Sequence, residues 1–325
     1  MVAVIDLASP SLASVRAAIE ETGIVQVVNH GVPLDFDERA ARLLALPRAE
    51  KAALASPTGH PYRGWRQWPD DFGRLELERF NVGQFDNVSA ARSAGLASEY
   101  LGLYSHENVW PDPAFRAAAR EYAEAARGLA ERMLALYATA LDLPADTFPV
   151  SPLPHLSLTV NNYPTWTYAA EAADEDKLLL LEHADGSVVT ILSQAGDYEG
   201  LQIQQPSGDW EPVPIVPGAL QVFSGTLLTR WTNGLLRPAR HRVVAGGTVT
   251  RRSVALFYYP GLDQLLEPLP PFASPESDYE PVTTWDLVKD NVENYLKVFG
   301  RPEQVTAWRE GKPYVAELAE NSAGQ

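Results

Sequence analysis

From Pro154 to Pro260 the chain alternates between short apolar segments and turn signals, and this rhythm restricts the fold more than any other feature. Segments 156–163, 178–182, 188–193, 201–204, 219–223, 241–244 and 253–259 are rich in Leu, Ile, Val, Phe and Tyr, and each reads as a strand. Pro206-Ser207-Gly208-Asp209 and Gly246-Gly247 mark turns between some of them. Many short strands at this spacing predict an antiparallel sandwich or barrel, because a sheet buries its apolar face only against another layer.

The first half supplies the other layer. Residues 2–5 and 24–28 read as strands, and 11–21 as a helix ended by Gly23; 34–46 and 48–55 are helical by pattern. Phe115, Ala118, Tyr122, Ala126, Leu129, Met133, Leu136 and Ala140 recur at helical spacing over 113–141. Asp112 suits its N-cap, Pro113 its first turn, and Pro144 stops it. The stretch 57–86, with Tyr62, Trp65, Trp68 and Phe72 among Gly and Pro, reads as loop and short strand, and 282–298 as a last helix. The expected fold is mainly β with flanking helices: a jelly-roll, or double-stranded β-helix, barrel packed against N-terminal helices and a C-terminal helix. Residues 1–150 form a helical region with short strands, 151–265 the barrel core and 266–325 an extension, together one structural unit.

Composition removes several function classes. The absence of cysteine excludes disulfide frameworks, zinc–thiolate sites, iron–sulfur clusters and thiol nucleophiles. A chain of 325 residues buries a sizeable core without a metal staple, so a metal here is expected to be catalytic. The net charge of −16 opposes binding to nucleic acid or anionic membranes, and no basic run offsets it. The first residues lack a signal-peptide pattern and no apolar run has membrane-spanning length, which predicts a cytoplasmic protein. A small-molecule substrate is the expected partner, and no obligate protein partner is evident. Abundant alanine, and basic charge carried mostly by arginine, point to a bacterial source.

Six histidines are available. His183-Ala184-Asp185 lies where one strand ends, and residues two apart in a strand face the same side. His241, on a distant strand, supplies a second imidazole. Two histidines and a carboxylate occupy one face of an octahedral metal and leave three positions open, the pattern of non-haem Fe(II) oxygenases. H-x-D alone is a weak signal. His30 falls in a turn; His60, His106 and His155 lack ligand spacing, and no role is assigned to them.

Further motifs occur in order around these residues. They are Gly23-Ile24-Val25-Gln26-Val27-Val28-Asn29-His30-Gly31-Val32-Pro33, Val160-Asn161-Asn162-Tyr163-Pro164 and His183-Ala184-Asp185-Gly186-Ser187. Arg230-Trp231-Thr232-Asn233-Gly234 then leads to Arg240-His241-Arg242-Val243, and Arg251-Arg252-Ser253 to Phe257-Tyr258-Tyr259-Pro260. From Gly23 to Pro260 the chain resembles the isopenicillin N synthase-like branch of the 2-oxoglutarate- and Fe(II)-dependent dioxygenases. The combination is specific although no single motif is. Gly225-Thr226 departs from the Gly-Asp usual in that family.

The resemblance implies Fe(II) held by His183, Asp185 and His241, with 2-oxoglutarate as cosubstrate and dioxygen as oxidant. Arg251 and Ser253 would hold the distal carboxylate of 2-oxoglutarate, and Tyr163 and Asn161 would donate to it from a neighbouring strand. The implied activity, 2-oxoglutarate-dependent dioxygenation, hydroxylates, desaturates or cyclises a small metabolite, here in bacterial secondary metabolism. Tyr62, Arg63, Trp65 and Arg79, with Trp166, Tyr168 and Phe257, are candidates for the substrate pocket; packing of helices onto the barrel explains the aromatics equally well. Two other readings stay open: an oxidase of the same fold that uses no 2-oxoglutarate, and a non-enzymatic jelly-roll binding protein. The last helix either helps to enclose the substrate at the barrel mouth or only braces the barrel.

Overall fold

The computed structural model describes residues 2–57, 60, 62–69, 76–163, 165, 178–196, 199–245, 250–299 and 302–310. The chain opens with β1 (Ala3–Asp6), α1 (Leu12–Glu21), β2 (Ile24–Val28), α2 (Asp35–Ala45) and α3 (Arg48–Ala52). A hairpin of β3 (Gly64–Pro69) and β4 (Glu76–Gly83) follows, then α4 (Val88–Ser93), a 3-10 segment Ser98–Tyr104 and the long α5 (Pro113–Ala140). The barrel strands are β5 (His155–Tyr163), β6 (Leu178–His183), β7 (Val189–Gly196), β8 (Leu201–Gln204), β9 (Trp210–Pro212) and β10 (Leu220–Ser224). After α6 (Thr226–Trp231) come β11 (His241–Val244) and β12 (Arg251–Tyr259). The last described elements are β13 (Leu265–Leu266), β14 (Val282–Thr283), α7 (Thr284–Phe299) and α8 (Pro302–Arg309).

Local chemistry explains several of these limits. Asp112 accepts a hydrogen bond from the Phe115 amide at 2.7 Å, so α5 starts on the cap that the sequence offers. Ser11 caps α1 in the same way through the Ser14 amide. The pattern missed α6 and β9, which are too short to show a period.

The strands form two main sheets. The larger has eight strands in the order β1-β2-β10-β7-β12-β5-β4-β3, and the smaller has four in the order β6-β11-β8-β9. The segment read as loop and short strand thus supplies β3 and β4, which extend one edge of the large sheet, while β1 and β2 extend the other. Strands from before residue 150 therefore hydrogen-bond directly into the barrel sheet instead of packing on it as a separate layer.

Alternation along the strands divides the large sheet into two faces. Leu156, Leu158, Val160, Val254, Leu256 and Tyr258 pack outward with the buried stripe of α5 and with α1 and α2 in the main core. Each fully buried apolar side chain there contributes about 1.5–3 kcal/mol. Thr159, Asn161, Tyr163, Arg251 and Ser253 alternate with them and face the small sheet. Two apolar clusters link the sheets, one through Leu201, Ile203 and Phe223, the other through Tyr163, Leu179 and Val243. A chamber remains between the clusters. Among the described residues no helix is long and apolar enough to cross a membrane.

Candidate active site

His183 ends β6 and His241 begins β11, and the two are direct antiparallel partners. Their rings lie 4.3 Å apart between centroids. Asp185, just past β6, completes a group whose potential ligand atoms all fall within 4.8 Å of one another. Its Oδ1 is 3.7 Å from His183 Nε2 and 4.0 Å from His241 Nε2, too far for hydrogen bonds, so the three groups converge without binding each other.

Both imidazoles are held by local backbone. Nδ1 of His183 lies 2.9 Å from the Leu181 carbonyl and Nδ1 of His241 lies 2.9 Å from the Ala239 carbonyl. A carbonyl only accepts, so each Nδ1 carries the proton and each Nε2 offers a lone pair to the chamber. Burial holds His241 well below the usual histidine range and outweighs the opposing pull of Asp185. Neutral imidazoles fixed by a second hydrogen bond, beside a carboxylate, are a donor set suited to a divalent iron ion.

The opposite wall belongs to β5 and β12, where Arg251 pairs with Tyr163 and Ser253 with Asn161. Arg251 is 2% exposed, its guanidinium lies 5.1 Å from the centre of the Tyr163 ring, and its Nε has no hydrogen-bond partner. Among the described residues no carboxylate forms an ion pair with it. A buried guanidinium with an orphaned donor is complementary to an anion, and the distal carboxylate of 2-oxoglutarate has that chemistry. Asn161 donates through Nδ2 to Ser253 Oγ at 3.3 Å and accepts at Oδ1 from Arg79 Nε at 2.9 Å.

A second cavity, of about 360 Å3, adjoins the metal chamber and shares Arg79, Thr159 and Phe257 with it. Tyr62 and Arg63 line it, and α7 closes one side with Val288, Asn291 and Val292. Of the sequence-derived pocket candidates, Tyr62, Arg63, Arg79 and Phe257 meet here. Trp65 does not. It pairs across the hairpin with the fully buried Phe80, and both rings join the main core, while their neighbours Arg66 and Arg79 take the other face. Trp166 and Tyr168 lie outside the described residues. Sequence reasoning passed over His60 and His155, which line the same cavity, and His106, whose ring lies 4.4 Å from that of His60. They come from three distant segments, and no spacing could have joined them.

The turn at Gly225-Thr226 braces the metal loop. Gly225 N–H donates to the Val188 carbonyl and Thr226 N–H to the Asp185 carbonyl, both at 2.9 Å. The Thr226 side chain is exposed, so the departure from Gly-Asp leaves this backbone contact in place. A Cβ at Gly225 would be driven into the Ser187 carbonyl oxygen. Gly225→Ala is expected to cost about 1–3 kcal/mol by overpacking and to weaken iron binding by about 10–100-fold through the displaced loop. Thermal unfolding and iron titration check the two effects.

Residues 156–260 match the 2OG-Fe(II) oxygenase superfamily, and residues 2–112 match the family described as non-haem dioxygenase in morphine synthesis N-terminal. The 2-oxoglutarate-dependent dioxygenase ecdK of Aspergillus rugulosus is 30% identical over 269 residues, which span 74% of this chain and 79% of that protein. The chain belongs to the 2OG-Fe(II) oxygenase superfamily. The isopenicillin N synthase-like resemblance is consistent with that membership. A second relative, the 2-oxoglutarate-Fe(II) type oxidoreductase hxnY of Emericella nidulans, is 28% identical over 334 residues, 95% of this chain and 88% of its own. The solved structure of JOX2 in complex with 2OG, Fe and JA shares the fold at a TM-score of 0.70 and 24% identity, covering 90% of this chain and 84% of that one. The dioxygenase for auxin oxidation in rice does so at 0.66 and 21%, covering 90% and 96%. The dioxygenase uses Fe(II) and 2-oxoglutarate, which sets aside the oxidase and binding-protein readings. Its jelly-roll core is the expected fold.

Proposed function

We propose that the dioxygenase oxidises a small-molecule metabolite, with His183, Asp185 and His241 as iron ligands and Arg251, Ser253, Tyr163 and Asn161 as the 2-oxoglutarate site. One observation carries this reading: the His–Asp–His group of the small sheet and the buried Arg251 of the large sheet line a single chamber. Iron, when bound, supplies the activation of dioxygen that the protein's own side chains lack.

The chain's residues do the rest. The Leu181 and Ala239 carbonyls fix the tautomers of His183 and His241, so that both Nε2 atoms stay ready as ligands. Arg251 anchors one carboxylate of 2-oxoglutarate, and the Ser253 hydroxyl and Tyr163 hold the same end. Asn161 ties Ser253 to Arg79 and so links the cosubstrate site to the second cavity, where the metabolite binds. Leu180, Leu192, Leu201 and Phe223 keep the metal chamber apolar and limit water there.

Strands from before residue 150 share the barrel's hydrogen bonding, which supports reading regions 1–150, 151–265 and 266–325 as one structural unit. The alanine- and arginine-rich composition supports a bacterial source, and the lack of cysteine fits a reducing compartment such as the cytoplasm. Anaerobic addition of Fe(II) and then 2-oxoglutarate is expected to develop a weak visible charge-transfer band, and turnover in air is expected to release succinate. A protein that binds Fe(II) but gives neither signal with 2-oxoglutarate would refute the residue assignment.

A further inference from the structure

Positive charge lines the second cavity of a protein whose net charge is −16. Arg63 and Arg79 line the second cavity and, among the described residues, no aspartate or glutamate does. Arg63 is 4% exposed. Its guanidinium donates to the carbonyls of Tyr62 at 2.6 Å, Leu103 at 3.1 Å and His106 at 3.3 Å. These bonds leave part of its five-donor fork unused, and among the described residues no carboxylate pairs with it. Burial pushes it down to about 10, so it stays a cation at neutral pH. A side chain at Gly83 would collide with the guanidinium, and the glycine leaves room for it on β4. A buried charge without a counter-ion is costly, and an incoming anion relieves that cost.

Tyr104 arranges a second donor. Its ring lies 5.7 Å from the Arg63 guanidinium, and its hydroxyl is 3.0 Å from His155 Nδ1. The hydroxyl's other contact, with Gln84 Oε1, is longer at 3.5 Å. With the hydroxyl hydrogen turned to Nδ1, the neutral ring carries its proton on Nε2, and this is the tautomer that an anion in the cavity selects. Burial, and then Arg63, push His155 down to about 3 and the nearby His106 to about 4, so both rings are neutral. Nε2 of His155 has no hydrogen-bond partner among the described residues. The apolar part of the wall is built from Leu103, Phe257, Tyr259, Val288 and Val292.

Resting on the dioxygenase reading of the adjoining chamber, we infer that the substrate is an amphipathic carboxylic acid whose carboxylate is received by Arg63 and the His155 Nε2–H. Its apolar body lies along Val288 and Val292, and its reacting end passes Arg79, Thr159 and Phe257 toward the metal chamber. One arginine with neutral N–H donors matches a single negative charge. The cavity volume of about 360 Å3 suits a compact metabolite. Tyr104 is a positioning residue that acts through Arg63 and His155.

Matched probes test this on the anaerobic Fe(II)–2-oxoglutarate enzyme by calorimetry: 3-phenylpropanoate, 4-phenylbutanoate and decanoate, each against its primary amide. At least one acid is expected to bind about tenfold or more tightly than its amide, as a charge-assisted contact requires. Arg63→Met should bring acid and amide to within about twofold, and His155→Phe and Tyr104→Phe should narrow the gap by smaller factors. If Arg63→Met does not fold, His155→Phe decides, since it loses only the bond to Tyr104. The proposal is overturned if no acid binds, if acid and amide bind alike in the wild type, or if the preference is as large in the folded variants as in the wild type. Failure of the underlying dioxygenase assignment is distinct: the charge-transfer band would already be missing before any acid is added.

Discussion

Alanine at His183, Asp185 or His241 is expected to abolish Fe(II) binding and to lower turnover by on the order of a thousandfold or more, with the fold intact. Losing the metal removes several kcal/mol of transition-state stabilisation, and each 1.4 kcal/mol is about a factor of ten in rate. Stability should change little, because the hydrogen bonds of these side chains tie no distant segments together, although His241→Ala also loses a ring contact with Phe223. The described hydrogen bond of each imidazole reaches only the carbonyl two residues earlier. Among the described residues, the Asp185 carboxylate makes no hydrogen bond at all. Thermal unfolding of the metal-free variants should therefore resemble that of the metal-free parent, while metal analysis after iron loading should find none bound. Full iron occupancy in any of the three variants would remove that residue from the ligand set.

The second large effect concerns Arg251. Arg251→Lys keeps the charge and loses the planar fork, so the apparent affinity for 2-oxoglutarate should fall. A lost charge-assisted contact is worth about 1.5–3 kcal/mol, which is about a 10- to 150-fold rise in Kd. Arg251→Ala should be worse. Iron binding without 2-oxoglutarate should be unaffected, because Arg251 lies on the opposite sheet from the three ligands. The protein without 2-oxoglutarate should lose no stability, since a buried cation that lacks an ion pair contributes little to the empty fold. Added 2-oxoglutarate should raise the unfolding temperature of the parent more than that of either variant. Equal shifts in all three proteins would place the cosubstrate elsewhere.

What the sequence determined by itself is what neighbouring residues encode. Two-residue alternation put His183 and Asp185 on one side, and likewise Arg251 with Ser253 and Asn161 with Tyr163. A cap and a proline located the start of α5 to the residue. Ordered motifs from Gly23 to Pro260 carried the family resemblance. Tertiary structure decided everything that depends on which segments meet. The pairing of His241 with His183 and of Arg251 with Tyr163 brings the proposed ligand and cosubstrate residues into one chamber, and registers of this kind are fixed by sheet formation. Trp65 turned into the core because its partner Phe80 faces that way, while Arg79, one residue before Phe80, faces the cavity. His60, Arg63, Tyr104 and His155 carry no shared local signal. They meet because the β3–β4 hairpin, the Ser98–Tyr104 segment and β5 close around the same space under α7, and long-range packing alone brings them together.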